Sequence, residues 1–279
     1  MTEKKPTSPF SIKNVRLFIA FRIFFNARFY YPVFTILFLD YGLTLEQFSL
    51  LNTAWALTIV CAEVPSGALA DILGRKQLLV LTALLMIVEM SVIAFVPASN
   101  VSLVFWAFLI NRILSGLAEA AASGADEAIA YDSLVAEGLQ DHWPEVLSLQ
   151  MRLNALAAIV SMTIGALVYD PAAVNTALNY VGLTADITQQ TTMRFPVYLT
   201  LVLALFALWT TAMMRETGSN TRSVKFSTTS VRKAFVITLQ AGGWIFKTPF
   251  ALSVICFGMV YDHILRLAIT LTSRYFRAT

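Results

Sequence analysis

Four charged residues interrupt long apolar runs of this sequence, each at a similar distance from the start of its run. They are Arg28, Glu89, Arg112 and Asp262. At a helical rise of about 1.5 Å per residue, each lies roughly 16–20 Å into its run, near the middle of a bilayer. A charge at that depth costs about 2.5–3.5 kcal/mol on insertion scales, so it usually serves a function. The arginines are therefore candidates to bind an anionic group, and the carboxylates to exchange a proton or another cation.

The same four residues have a simpler interpretation as structural ion pairs, for example between Glu89 and Arg112. Both interpretations require these side chains to face one another between helices, because an unpaired charge facing lipid is unfavourable. The sequence leaves the two alternatives open.

The composition indicates that these runs lie in a membrane. Hydrophobic residues make up 57% of the 279 residues and charged residues only 13%, whereas soluble domains have about 45–50% and about 25%. The net charge of +3 comes without a basic patch and interleaved aromatic residues, which argues against nucleic acid as a partner. The two cysteines and two histidines lack the spacing of a disulfide framework or a metal site, so we expect no cofactor and no metal.

Continuous apolar stretches of about 20 residues predict membrane-spanning helices rather than the alternating pattern of barrel strands. The fourth stretch is expected to continue as helix to about residue 134. The sequence therefore predicts an all-α, polytopic membrane protein with spans at 15–39, 46–68, 77–98, 101–122, 147–169, 196–214 and 249 to about 271.

Basic residues outside the spans predict the orientation. They occur in the tail 1–14, in the turn after the second span and in the segment 215–248, whereas the turns after the first and third spans contain none. This pattern predicts a cytoplasmic N-terminus in a plasma membrane, or in the inner membrane of a Gram-negative cell. Apolar residues spaced along 215–248 predict an amphipathic interfacial helix within a cytoplasmic linker.

The short turn between the second and third spans reads G-A-L-A-D-I-L-G-R-K from Gly67 to Lys76. Gly67 allows close helix approach, and Gly74 allows a tight turn. Asp71 can accept hydrogen bonds from a helix N-terminus of an opposing bundle, and Arg75 with Lys76 is expected to hold the turn at the lipid headgroups. These features suit a conformational latch, with a plain basic turn as the alternative.

This turn resembles the G-x-L-a-D-r-x-G-r-k motif that members of the major facilitator superfamily carry at the same place. Ile72 replaces the arginine of that pattern. The fourth span is similar to the family pattern l-x-x-x-R-x-x-q-G at Arg112 and Gly116, whereas the fifth lacks the Gly-Pro pair of the proton-coupled drug antiporters. The residues that match the turn motif are Gly67, Leu69, Ala70, Asp71, Gly74, Arg75 and Lys76.

The resemblance implies a secondary transporter rather than an enzyme: a six-helix bundle of inverted three-helix repeats that moves a small molecule by alternating access, with a proton or another ion as the coupling partner. It implies a tail at 1–14, the bundle at 15–214, a linker at 215–248 and a seventh helix of a truncated second bundle at 249–279. We expect such a fragment to be inactive alone. The competing hypothesis is a non-transporting membrane interaction or sensor protein.

Small residues recur every fourth position in the fourth span and predict close helix packing. They are Gly116, Ala120, Gly124 and Ala128. Among nearby acidic residues, Glu63 is expected to brace the turn motif, by capping or by pairing with Arg75. A solvated or interface-pairing role is expected for Asp126, Glu127 and Asp132.

Overall fold

The computed structural model describes residues 8–183 and 186–217, together with 236, 243–244, 247–254, 256–258, 260–261 and 264. In these ranges the regular structure is helical and no strand occurs, so the all-α prediction is confirmed. The α-helices of residues 8–217 are α1 (Lys13–Asn26), α2 (Phe34–Asp40), α3 (Leu45–Leu73), α4 (Arg75–Phe95), α5 (Val101–Ala122), α6 (Ala125–Glu137), α7 (Trp143–Tyr169), α8 (Pro171–Tyr180), α9 (Gln189–Thr192) and α10 (Phe195–Met213).

Several of these helices are long enough to cross a bilayer. In the described part, four segments combine sufficient length with sufficient apolarity: Arg75–Phe95, Val101–Glu137, Gln140–Tyr169 and Gln189–Met213. Helix α3 has 29 residues, which corresponds to a length of about 43 Å. Most of the predicted linker and the end of the predicted seventh span lie outside the described residues, so those two assignments stay predictions.

The first span is broken in the middle, so the expectation of one continuous helix over 15–39 is wrong. Helix α1 ends at Asn26, a short 3₁₀ turn covers Tyr31–Val33, and α2 begins at Phe34. Pro32 explains the break, because proline lacks an N–H and its ring clashes with the carbonyl four residues earlier. That earlier residue is Arg28, which therefore lies in non-helical backbone.

Neighbouring helices hold the broken segment in place. The backbone N–H of Phe29 donates to Thr200 Oγ1 of α10 at 3.2 Å, and Arg28 Nε donates to the carbonyl of Phe25 at 3.1 Å. On the other side, a Cβ built on Gly165 of α7 would collide with the Phe29 carbonyl group. Glycine at 165 therefore permits the unwound backbone to lie directly against α7.

The fourth span consists of two helices, α5 and α6, that meet at Gly124. This glycine adopts a left-handed conformation with φ +73°, and nothing would contact a Cβ at this position. The prediction that Gly124 serves helix packing is therefore wrong: its role is to let the chain turn between α5 and α6. Two other positions of the small-residue stripe do pack, since Ala120 is buried and a Cβ on Gly116 would lie 2.8 Å from Thr58 Cβ of α3.

The helices pack as one bundle around α4 and α5. Helix α4 lies between α5 and α10, α5 also packs on α3, and α1 contacts α6, α7 and α10. Buried apolar residues form three clusters along the bundle, around Phe38 and Phe108, around Phe25 and Met86, and around Phe18 and Leu134.

Candidate functional site

A buried ion pair joins the broken first span to α4. Arg28 Nη1 donates to Glu89 Oε1 at 2.6 Å, and the two side chains are 4% and 0% exposed. The guanidinium also lies over the Phe25 ring, 5.3 Å from its centroid. The second carboxylate oxygen of Glu89, Oε2, is buried and makes no hydrogen bond in the described part of the chain. Glu89 is therefore paired through one oxygen and keeps an acceptor without a donor.

Asn111 connects this pair to the second buried arginine. Its Nδ2 donates to the backbone carbonyl of Glu89 at 2.9 Å, while its Oδ1 accepts from Arg112 Nε at 3.0 Å and from Nη2 at 2.8 Å. The Arg112 guanidinium lies 5.2 Å and 5.8 Å from the ring centroids of Phe34 and Phe38 in α2. We call Arg28, Glu89, Asn111 and Arg112 the central cluster.

The pairing expected between Glu89 and Arg112 does not occur, because Glu89 pairs with Arg28. The break in the first span places Arg28 opposite α4, and the amide of Asn111 occupies the side of Arg112 that carries Nε and Nη2. Asp262, the fourth charge predicted at this depth, lies outside the described residues.

The central cluster separates two of the apolar clusters of the bundle. Glu89 is the fifteenth of the 21 residues of α4, and Arg112 is the twelfth of the 22 residues of α5. In the first span, in α4 and in α5, the charged residue lies between two apolar residues that belong to different clusters, one before it and one after it in the chain. These flanking pairs are Phe25 and Tyr30, Met86 and Met90, and Phe108 and Ala118. The polar residues thus form a layer at mid-depth, where a desolvated charge is expensive.

The turn motif lies at one end of the bundle, which we call the motif end. Arg75 pairs with Asp132 of α6 and donates to the carbonyl of Ala128 at 3.1 Å, so it ties the turn to α6. The expected pairing of Glu63 with Arg75 is wrong, since Asp132 takes that position and Glu63 Oε1 accepts from Ser123 Oγ at 2.7 Å.

Glu216, which follows α10, caps the first turn of α4. Its two carboxylate oxygens accept from the backbone N–H groups of Arg75 at 3.0 Å and of Lys76 at 2.8 Å. A helix N-terminus has unpaired N–H groups and a partial positive charge, so a carboxylate is a favourable cap there. Gly74, with φ +92°, allows the carboxylate to approach, because a Cβ at 74 would lie 3.1 Å from Glu216 Oε2.

The residues of the motif before Gly74 differ in their contacts with the described bundle. Gly67 is exposed, and nothing lies within 4 Å of a Cβ built on it. Leu69 packs partly against the apolar cluster around Phe25. The backbone of Asp71 lies in the last turn of α3, and its side chain is outside the description.

Two further acidic residues pair with α1 near the motif end. Arg22 Nε lies 3.1 Å from Asp126 Oδ2, and Arg22 Nη2 lies 2.9 Å from Glu127 Oε1. The Asp126 side chain is 1% exposed, so of the two roles expected for this residue, solvated or interface-pairing, the solvated role is excluded and the pairing fits. The turn at Gly124 explains the difference, since it directs the first turn of α6 toward α1.

Sequence reasoning missed three residues that complete these networks: Asn111, Thr200 and Glu216. A polar residue beside a charge within an apolar run was a usable signal for Asn111. Glu216 lies 141 residues from Arg75, and no local pattern links them. No group of three or more potential metal ligands occurs in the described part.

Comparison with known families agrees with the helical architecture and the turn motif. The family model of the major facilitator superfamily matches residues 16–275. A comparison with curated proteins gave no match. The family match extends over both the broken first span and the motif end. The chain therefore belongs to the major facilitator superfamily, whose members are multi-pass membrane proteins that act as secondary transporters of small molecules and are not enzymes.

Proposed function

We propose that this protein moves a small solute by alternating access, and that the central cluster provides its substrate and coupling-ion site. The observation that carries the proposal is a layer of polar side chains, Arg28, Glu89, Asn111 and Arg112, buried at mid-depth between two apolar clusters. Secondary transporters bind substrate and ions near the bilayer midplane, often at interrupted helices. The broken first span supplies such an interruption beside the buried pair.

Ion coupling is assigned to Glu89, with Asp262 as the second candidate. Protonation of Glu89 would remove the charge that compensates Arg28, and Glu89 Oε2 is an acceptor without a donor in the described part. The state of this carboxyl group would then decide whether Arg28 is held against α4 or released toward a substrate. A proton is the proposed coupling ion, since a buried carboxylate with one oxygen that makes no hydrogen bond in the described part can take up a proton without further ligands.

The motif end is proposed to act as the gate between the two access states. Arg75 and Glu216 hold the α3–α4 turn against α6 and the end of α10, so the turn is a fixed part of the bundle. Gly67 has open space around it, which suits contact with a second bundle. In this proposal Asp71 accepts hydrogen bonds from that second bundle in one state and loses them in the other.

The proposed setting is the plasma membrane, with the N-terminus and the motif end on the cytoplasmic side. The support is the distribution of lysine and arginine outside the spans, which favours the cytoplasm for both segments. Labelling of a single cysteine at exposed Gln77, from outside intact cells, tests this orientation. Reaction with an impermeant reagent before permeabilisation would contradict it.

Flux into proteoliposomes tests the function itself. The vesicles receive a small-molecule extract of the source cells under a pH gradient, and their contents are measured by mass spectrometry. Accumulation of at least one solute would show that this chain transports by itself and would overturn the expectation that it is inactive alone, and Asp71→Ala should then reduce flux but not binding. Binding without flux would instead favour a sensor. If Glu89→Gln and Asp262→Asn each leave the pH dependence of transport unchanged, the coupling assignment is wrong.

A further inference from the structure

The two buried arginines of the central cluster have different charge environments. Arg28 has a carboxylate partner, Glu89, at 2.6 Å. Arg112 has none in the described part of the chain: its hydrogen bonds both go to the neutral amide oxygen of Asn111. The guanidinium also makes cation–π contacts with the rings of Phe34 and Phe38. The cluster therefore contains two positive charges and one negative charge among the described residues.

One nitrogen of Arg112 remains available to a ligand. Nε and Nη2 both donate to Asn111, whereas Nη1 makes no hydrogen bond to any described residue. The residue as a whole is only 5% exposed, so a ligand would have to reach Nη1 inside the bundle. The side chain is thus held rigidly on one side and keeps one donor group on the other.

The surroundings of Nη1 allow a small solute to approach from the α2 side. Phe34, whose ring lies over the guanidinium, is half-buried. Its neighbour Tyr31 packs edge-on against Phe34 and is 43% exposed. The aromatic pair therefore borders the cluster on its exposed side.

We propose that the transported solute carries an anionic group, and that Arg112 is the residue that binds it. This inference rests on the proposed function, since it names the substrate class of the same site. A guanidinium matches carboxylate, phosphate and sulfonate groups in geometry and charge. An anion on Nη1 would supply the acidic partner that Arg112 lacks among the described residues. Asn111 would fix the guanidinium plane, and Phe34 would contact the apolar part of the solute.

The test is ligand-induced thermal stabilisation of the purified chain. A small-molecule extract of the source cells is separated by ion exchange into anionic, neutral and cationic fractions, which are the probes. We expect the anionic fraction to raise the unfolding temperature. In Arg112→Gln the half-maximal concentration should rise about 10- to 100-fold, as expected for loss of a charged hydrogen bond.

Two variants separate recognition from folding. Arg112→Lys keeps the charge but not the fork of donors, so it should retain part of the shift. Arg152→Gln removes an exposed arginine of α7 and should leave the shift unchanged. If Arg112 has only a structural role, Arg112→Gln lowers the unfolding temperature of the free protein but leaves the half-maximal concentration of the anionic fraction unchanged. That result would overturn the inference.

The outcomes distinguish this inference from the proposed function. Stabilisation by the neutral or cationic fraction alone would keep a transporter and overturn the anionic substrate, as would an anionic effect that survives in Arg112→Gln. Stabilisation by none of the fractions would contradict the proposed small-molecule site and the inference with it. Stabilisation by the anionic fraction without flux in proteoliposomes would support Arg112 and contradict transport.

Discussion

The central cluster and the motif end both hold charged side chains, and they balance their charges differently. At the motif end Arg22 pairs with Asp126 and Glu127, and Arg75 pairs with Asp132. In the central cluster Arg28 has Glu89, but Arg112 has no carboxylate among the described residues. The Arg75–Asp132 pair is also more exposed, with side chains at 34% and 30% against 4% and 0% for the central pair.

This difference separates two ways of using charge in a membrane bundle. A half-exposed ion pair such as Arg75 with Asp132 holds helices together at a small individual energy, as suits a turn that moves as one piece. A buried charge without a partner is unfavourable unless a ligand completes it. The contrast predicts that substitutions in the central cluster change stability strongly, whereas those at the motif end change it little.

The largest effect is expected when one partner of the buried pair is removed. Glu89→Ala would leave Arg28 uncompensated in the core, and we expect a loss of about 3–5 kcal/mol in the free energy of unfolding. Unfolding by detergent titration, followed by tryptophan fluorescence, measures this loss. The double variant Arg28→Met with Glu89→Leu removes both charges and should be considerably more stable than Glu89→Ala. Equal losses in the two proteins would show that the charges are not coupled.

An intermediate effect is expected at the contact between the broken span and α7. Gly165→Ala places a methyl group against the Phe29 carbonyl, and overpacking of this kind costs about 1–3 kcal/mol. The same detergent titration measures it. Gly67→Ala is the matched control, since Gly67 has open space around it and alanine favours a helix. A loss in Gly67→Ala as large as that in Gly165→Ala would contradict the packing described for the break.

The smallest effect is expected at the motif end. Glu216→Ala removes the cap from two N–H groups of α4, and because this carboxylate is exposed we expect a loss of about 0.5–1 kcal/mol. Hydrogen exchange in the first turn of α4 is the sensitive measurement. Glu137→Ala, an exposed glutamate at the end of α6, should leave that exchange unchanged. Protection that persists in Glu216→Ala would show that the cap does not stabilise α4.

The sequence was sufficient for the helical class and for most of the spans. Long apolar runs with few charges have no stable alternative to helices in a bilayer, and five of the predicted spans lie within or close to α3, α4, α5, α7 and α10. The turn motif identified the family because its glycines and charges are local in sequence. Pro32 was the residue that could have predicted the broken first span, but the continuous apolar run around it favoured one uninterrupted helix.

The partners of the charged residues were the part that sequence reasoning predicted poorly. Arg28 lies 61 positions from Glu89, and Arg75 lies 57 positions from Asp132, so no helical period relates them. The expectation that Glu89 pairs with Arg112 was reasonable for two charges at equal depth on adjacent spans. Asn111 lies on the side of Arg112 where such a pair would form.

The sequence by itself determined that this chain enters a membrane, that it is helical, and that charges lie at mid-depth, because hydropathy and helix length are properties of single segments. Tertiary structure decided which charged side chains pair with each other and that Arg112 has no carboxylate partner among the described residues. Such pairing depends on the rotation of each helix and on where the first span unwinds. Gly165 and Thr200 fix the unwound backbone from α7 and α10. Their contacts place Arg28 against Glu89, and Arg112 has no carboxylate partner among the described residues.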